Sequence, residues 1–113
     1  MNLESKDEGD FQIVVVHEPR IDAAGAIRFK DRMREVTGGG APHVVLDLSA
    51  VEFVDSSGLG AIVAAMKQLG ATRRLDLAGL TPTVERVFRL TRMDTVFTIH
   101  ADIASAQAVY AGS

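Results

Sequence analysis

The sequence predicts an α/β fold, with a mixed β-sheet of four to five strands and about four α-helices. Runs of β-branched residues alternate along the chain with stretches whose apolar positions recur every three or four residues. Glycine, proline and acidic turn residues fall between them. Hydrophobic residues make up 47% of the 113, yet aromatics only 5%, with no Trp and one Tyr, so the core must be aliphatic. That length suits one domain spanning residues 1–113.

Residues 1–10 read as a frayed tail or a weak edge strand, turning at Gly9-Asp10. Phe11, Ile13, Val14, Val15 and Val16 form a strand apolar enough for burial on both faces, and Pro19, which lacks an N–H, stops it. From Ala23 to Val36, a helical stripe joins Ala26, Phe29, Met33 and Val36, with Asp22 placed to cap it and Gly38-Gly39-Gly40 to end it. His43 to Leu48 is a second buried strand. A helix then starts around Ser56–Gly58 and runs to Leu69, with Gly70 as its stop. Leu75 to Ala78 is a third strand. A short helix follows, with Thr81 as cap, Pro82 in its first turn, and Val84, Val87 and Phe88 on its apolar side. Val96 to Ile99 is a last strand, and Asp102 caps a final helix carrying Ile103, Ala106, Val109 and Tyr110.

Charge and composition exclude several kinds of chemistry. A formal net charge of -3 argues against a nucleic-acid partner. The chain has no cysteine, which removes disulfides and thiolate chemistry. Its start, MNLESKDEGD, is acidic and polar, unlike a secretory leader. The longest apolar stretch, Ala61 to Met66, is far short of the roughly 20 residues that cross a bilayer. A soluble, cytoplasmic protein without direct membrane insertion is expected. No glycine-lysine-hydroxyl loop occurs, and nothing fixes the spacing of Asp47, Glu52 and Asp55, so neither cofactor nor metal is expected. Arg86, Arg89 and Arg92, at spacings of three, read as a solvated face that is also able to receive an acidic partner.

The most unusual segment is Phe53-Val54-Asp55-Ser56-Ser57-Gly58-Leu59-Gly60, at the junction of a strand end and a helix start. Ligands and modifications on open α/β sheets favour that end. A serine in this place is ordinarily an N-cap. The functional alternative makes Ser56 a phosphoacceptor, since free N–H groups and the positive end of the helix dipole tolerate a phosphate. A catalytic serine fits poorly. Val54 stands where a nucleophile elbow has glycine, and His17, His43 and His100 show no pairing with one another or with the serines. No catalytic residue is assigned, and the protein is expected not to be an enzyme.

The stretch Val44-Val45-Leu46-Asp47-Leu48-Ser49, followed by Val51 to Gly60, resembles the signature of STAS domains. More narrowly, it resembles bacterial anti-sigma factor antagonists (anti-anti-sigma factors). Ile21-Asp22, Leu75 to Pro82, Val84 to Phe88, Leu90-Thr91, Asp94, Phe97 and Asp102 to Ala106 extend the likeness over nearly the whole chain. The resemblance implies the STAS fold and partner switching. The unphosphorylated antagonist binds an anti-sigma factor, a serine kinase with a histidine-kinase-like ATPase domain, and releases the sigma factor. Phosphorylation of Ser56 turns binding off, and a serine phosphatase resets the switch. Asp22, Asp55, Ser56, Ser57, Gly58 and Leu59 form the implied partner-binding surface. Within the same fold, the alternative is an accessory subunit of a membrane lipid-transport complex, with Ser56 structural. Two departures bear on partner choice: Pro19-Arg20 replaces the family's frequent Gly-Glu, and Arg92 stands where glycine commonly follows Leu-Thr.

Overall fold

A computed structural model describes residues 1–111. Seven strands and four α-helices are present among them. They are β1 (Leu3–Glu8), β2 (Phe11–Val16), β3 (Arg20–Ile21), α1 (Ala26–Val36), β4 (His43–Asp47), β5 (Phe53–Val54), α2 (Ser56–Leu69), β6 (Arg74–Ala78), α3 (Pro82–Leu90), β7 (Ile99–His100) and α4 (Ile103–Ala111). A 3₁₀ turn, Met93–Thr95, follows α3.

Five strands form one mixed sheet in the order β1-β2-β4-β6-β7. β1 pairs antiparallel with β2, and the remaining pairs are parallel. The edge-strand reading of residues 1–10 is therefore the correct one: Gly9, at φ 67, turns the chain, and Leu3 is buried while Glu4 to Glu8 stay exposed. The last strand lies later than its sequence suggested. Val96 is 47% exposed and closes the 3₁₀ turn, and pairing begins only at Ile99.

Strand pleating sends alternate side chains to two separate cores. Val14 and Val16, Val44 and Leu46, and Leu75 and Leu77 face Phe29 and Met33 of α1, Ile62 and Ala65 of α2, and Val84 and Phe88 of α3. Phe11, Ile13, Val45 and Ala78 face α4, which contributes Ala106, Ile103 and Tyr110. Full burial of such aliphatic side chains stabilises by about 1.5–3 kcal/mol each. Of the apolar residues that the sequence placed on α4, Val109 faces out at 58% exposure.

Helix caps depart from expectation at two places. Asp22 does not cap α1, which begins four residues later after Gly25 with no side-chain cap. The chain first makes a turn in which the Gly25 N–H donates to the Asp22 carbonyl, and the Asp22 carboxylate pairs with Arg20 at 3.2 Å. Thr81 precedes α3 in extended geometry, but its Oγ1 donates to the Val51 carbonyl at 2.8 Å, tying the helix start to the loop before β5. Asp102 does cap α4, accepting from the Ser105 N–H at 2.7 Å. The Gly38-Gly39-Gly40 loop is anchored from outside, because Arg73 donates to the carbonyls of Thr37 and Ala41.

Candidate functional site

A two-stranded parallel ribbon stands apart from the main sheet. In it β3 pairs with β5, Arg20 opposite Phe53 and Ile21 opposite Val54. Strands of two residues are too short for a hydrophobic period, which is why the sequence shows them only as flanks of Pro19 and Asp55. Their function is to aim the start of α2. The Glu52 and Phe53 N–H groups donate to the Pro19 carbonyl at 2.7 and 3.2 Å, and the Asp55 N–H donates to the Ile21 carbonyl at 3.4 Å.

Asp55, rather than a serine, is the N-cap of α2. Its Oδ1 accepts from the Gly58 N–H at 2.8 Å, and its Oδ2 accepts from the Ala23 N–H at 3.1 Å. One carboxylate thus closes the helix start and ties it to the loop before α1. The Gly58 bond, with that from Ala23 and the nearby Arg20 charge, lowers the Asp55 pKa below its ordinary 3.8, so it is ionised at neutral pH.

Gly58 is required by the packing of this corner. A Cβ built on it would lie 1.8 Å from the Ile21 carbonyl oxygen, a backbone atom that β3 holds in place. The first turn of α2 therefore sits directly on β3. Ser56 and Ser57 occupy the first two helical positions and are exposed. No side-chain partner binds the Ser56 hydroxyl among the described residues. The ordinary reading of Ser56 as a helix cap is thereby replaced: Asp55 does the capping and leaves the serine free.

The expected site residues converge unequally. Asp55, Ser56 and Ser57 form the rim of the corner. Gly58 lies buried beneath it, and Leu59 is half-buried against the core. Asp22 joins from the β3 side through Arg20. The sequence marked Arg20 only as a departure bearing on partner choice and Phe53 only as the start of the unusual segment, neither as a site residue. The Arg20 guanidinium lies over the Phe53 ring, 4.5 Å from its centroid, and Phe53 is an exposed aromatic beside the serines. Phe53 opens the segment that stood out in the sequence, but an aromatic in a strand pattern reads as core.

The histidines are engaged elsewhere. His17 bonds Glu4 at 2.8 Å, His43 stacks on Tyr110 with centroids 4.4 Å apart, and His100 bonds Asp76 at 2.9 Å. None supplies a base to Ser56. The Asp76 carboxylate, 2% exposed, also accepts from Tyr110 and pairs with Arg74 at 3.2 Å.

The fold and this corner define a class: a mixed α/β domain presenting a free hydroxyl on a helix start pre-capped by aspartate. Residues 2–106 match the STAS domain model, and the chain belongs to that family. Relatives under the name anti-sigma factor antagonist are similar along most of the chain. A crystal structure of an anti-sigma factor antagonist from Mycobacterium paratuberculosis superimposes with a TM-score of 0.85 at 27% identity, covering 96% of this chain and 92% of that one. BtrV of Bordetella bronchiseptica, named as a candidate anti-sigma factor antagonist, is 25% identical over 105 residues, 92% of this chain and 90% of its own. The fold alone is shared with murine Slc26a9, an anion transporter, at 18% identity and a TM-score of 0.79 over 96% of this chain and 19% of the transporter. No helix among the described residues is long and apolar enough to cross a membrane.

Proposed function

We propose that this protein is an anti-sigma factor antagonist, without catalytic activity of its own, in which Ser56 is the phosphoacceptor of a partner switch. The observation that carries this reading is the division of labour between neighbours. Asp55 satisfies the helix start, so the exposed Ser56 hydroxyl is left with no structural task. The unphosphorylated form binds an anti-sigma factor, a serine kinase with a histidine-kinase-like ATPase domain, in the cytoplasm and so frees the sigma factor. Asp22, Asp55, Ser56 and Ser57 form the docking rim. Gly58 and Leu59 hold that rim in place.

Phosphorylation adds roughly -1.5 to -2 charges at pH 7. The free N–H groups and dipole of α2 accommodate that charge within the protein. The partner instead meets a phosphate beside the ionised Asp55, and binding is lost through repulsion and desolvation. A serine phosphatase restores it. Charge at the rim, with the fold unchanged, is what turns the switch.

Mapping the modification tests this directly. Incubated with ATP and a serine kinase of that type, the protein should acquire one phosphate, on Ser56, and the Ser56→Ala variant none. A phosphate on Ser57 alone, or undiminished labelling of Ser56→Ala, would sink the assignment.

A further inference from the structure

Away from the Ser56 corner, exposed apolar and unpaired basic side chains lie together on the outer side of α3 and the turn after it, as Ile27 does with Arg28 and Lys30 on α1. Val84 and Phe88 of α3 face the core. The helical period then places Arg86, Arg89 and Leu90 on the opposite side. Leu90 is 75% exposed, more than any other exposed large hydrophobic residue among those described, and Val96 lies just beyond the 3₁₀ turn. Arg89 reaches Glu85 at 3.8 Å, but Arg86 and Arg92 have no side-chain partner among the described residues. Arg92 also has a φ of 62, the one non-glycine residue described in the left-handed region. Glycine would hold that conformation with less strain, so this side chain is kept against the preference of its backbone.

We propose that this corner is a second docking surface, and that its occupant is an acidic segment of a protein partner bearing a large aliphatic side chain. Two unpaired guanidinium groups on a chain of net charge -3 make a local basic spot. Arginine forks recognise carboxylates with two parallel hydrogen bonds, and their charge steers an acidic partner to the surface. Leu90 supplies the apolar anchor that a purely electrostatic contact lacks. Nucleic acid fits poorly, because Glu85 and Asp94 interrupt the positive field. Ser56 takes no part, so binding here is independent of its phosphorylation.

The test uses the full chain, isotope-labelled for amide NMR, and a short fluorescein-labelled peptide of glutamates and leucines. Shift changes should cluster at residues 82–96, and affinity should fall with added salt. Arg86→Glu should weaken binding about tenfold and Leu90→Ser about threefold, while Ser56→Asp leaves it unchanged. Arg92→Gly should weaken binding with its melting temperature kept or raised, which separates lost charge from lost fold. Shifts centred on Arg28 and Lys30 of α1, equal affinity for Arg86→Glu, or no shift at all would overturn the proposal.

Discussion

At the start of α2, Asp55 commits both carboxylate oxygens to backbone N–H groups, and two serines stand in solvent beside it. Under α4, by contrast, Asp76 is buried in mid-sheet and gathers three side chains: Arg74, His100 and Tyr110. The buried cluster, with its carboxylate, histidine and phenol, looks more like a catalytic site. Yet its groups satisfy one another, and the carboxylate and imidazole are buried, which is what a structural polar network does. The exposed corner holds little chemistry of its own, but its two free serine hydroxyls sit on a frame that a change of charge does not disturb. An unengaged group on a rigid support is the better mark of a regulated site here.

The comparison is broken most severely at Gly58. Gly58→Ala forces a methyl against the Ile21 carbonyl and should destabilise the protein by about 3 kcal/mol or more. Urea unfolding measures this; a loss below 1 kcal/mol, against about 3 expected, would mean that the corner yields and is not a rigid support. On the other face, Asp76→Ala strands His100 and Tyr110 and should cost about 3 kcal/mol by the same method. Binding at the Ser56 corner should survive in whatever fraction stays folded.

A gentler probe of the buried network is Tyr110, the chain's single tyrosine in the absence of Trp. Burial first, then the bond to Asp76 and its charge, raise its pKa from 10.0 to about 12. The unfolded chain therefore ionises before the folded one. The stabilisation is complete below pH 10 and is lost as pH rises toward 12. An ultraviolet titration of the phenol should place its midpoint near 12 in the native protein. A native midpoint at 10.0 would show that α4 does not hold the ring against Asp76. Smallest of all is Ser56→Asp. A carboxylate suits a helix N-terminus, so the melting temperature should stay within about 3 °C of the parent. A large drop would return Ser56 to a structural role.

The main strands and the three helices after the first were legible because β-branched runs and apolar stripes leave a period that short-range physics enforces. Asp102 was also readable, as a carboxylate one residue before an apolar helix. Asp22 misled because a good capping residue is only a permission: the turn through Gly25 delays α1, and Arg20 takes the carboxylate. Ser56 drew attention by its place at a helix start, but only the structure reveals that Asp55 fills the cap. Arg92 was visible as a departure from the family's glycine, and the φ of 62 gives that departure its physical meaning. The Asp76 network had no signal at all. Tyr110 lies 34 residues from Asp76 in sequence, and the members meet only through sheet order and the return of α4.

The central claim, that charge on Ser56 controls docking without altering the fold, is tested most directly by capture on Ser56→Ala and Ser56→Asp baits side by side. The baits are exposed to lysate of the native organism after each has been shown to melt with the parent. A protein with a histidine-kinase-like ATPase domain should be retained on the alanine bait and absent from the aspartate bait. Equal retention of that protein on both, or recovery of the same transporter components by both, would contradict the switch and leave Ser56 as an ordinary first residue of a helix.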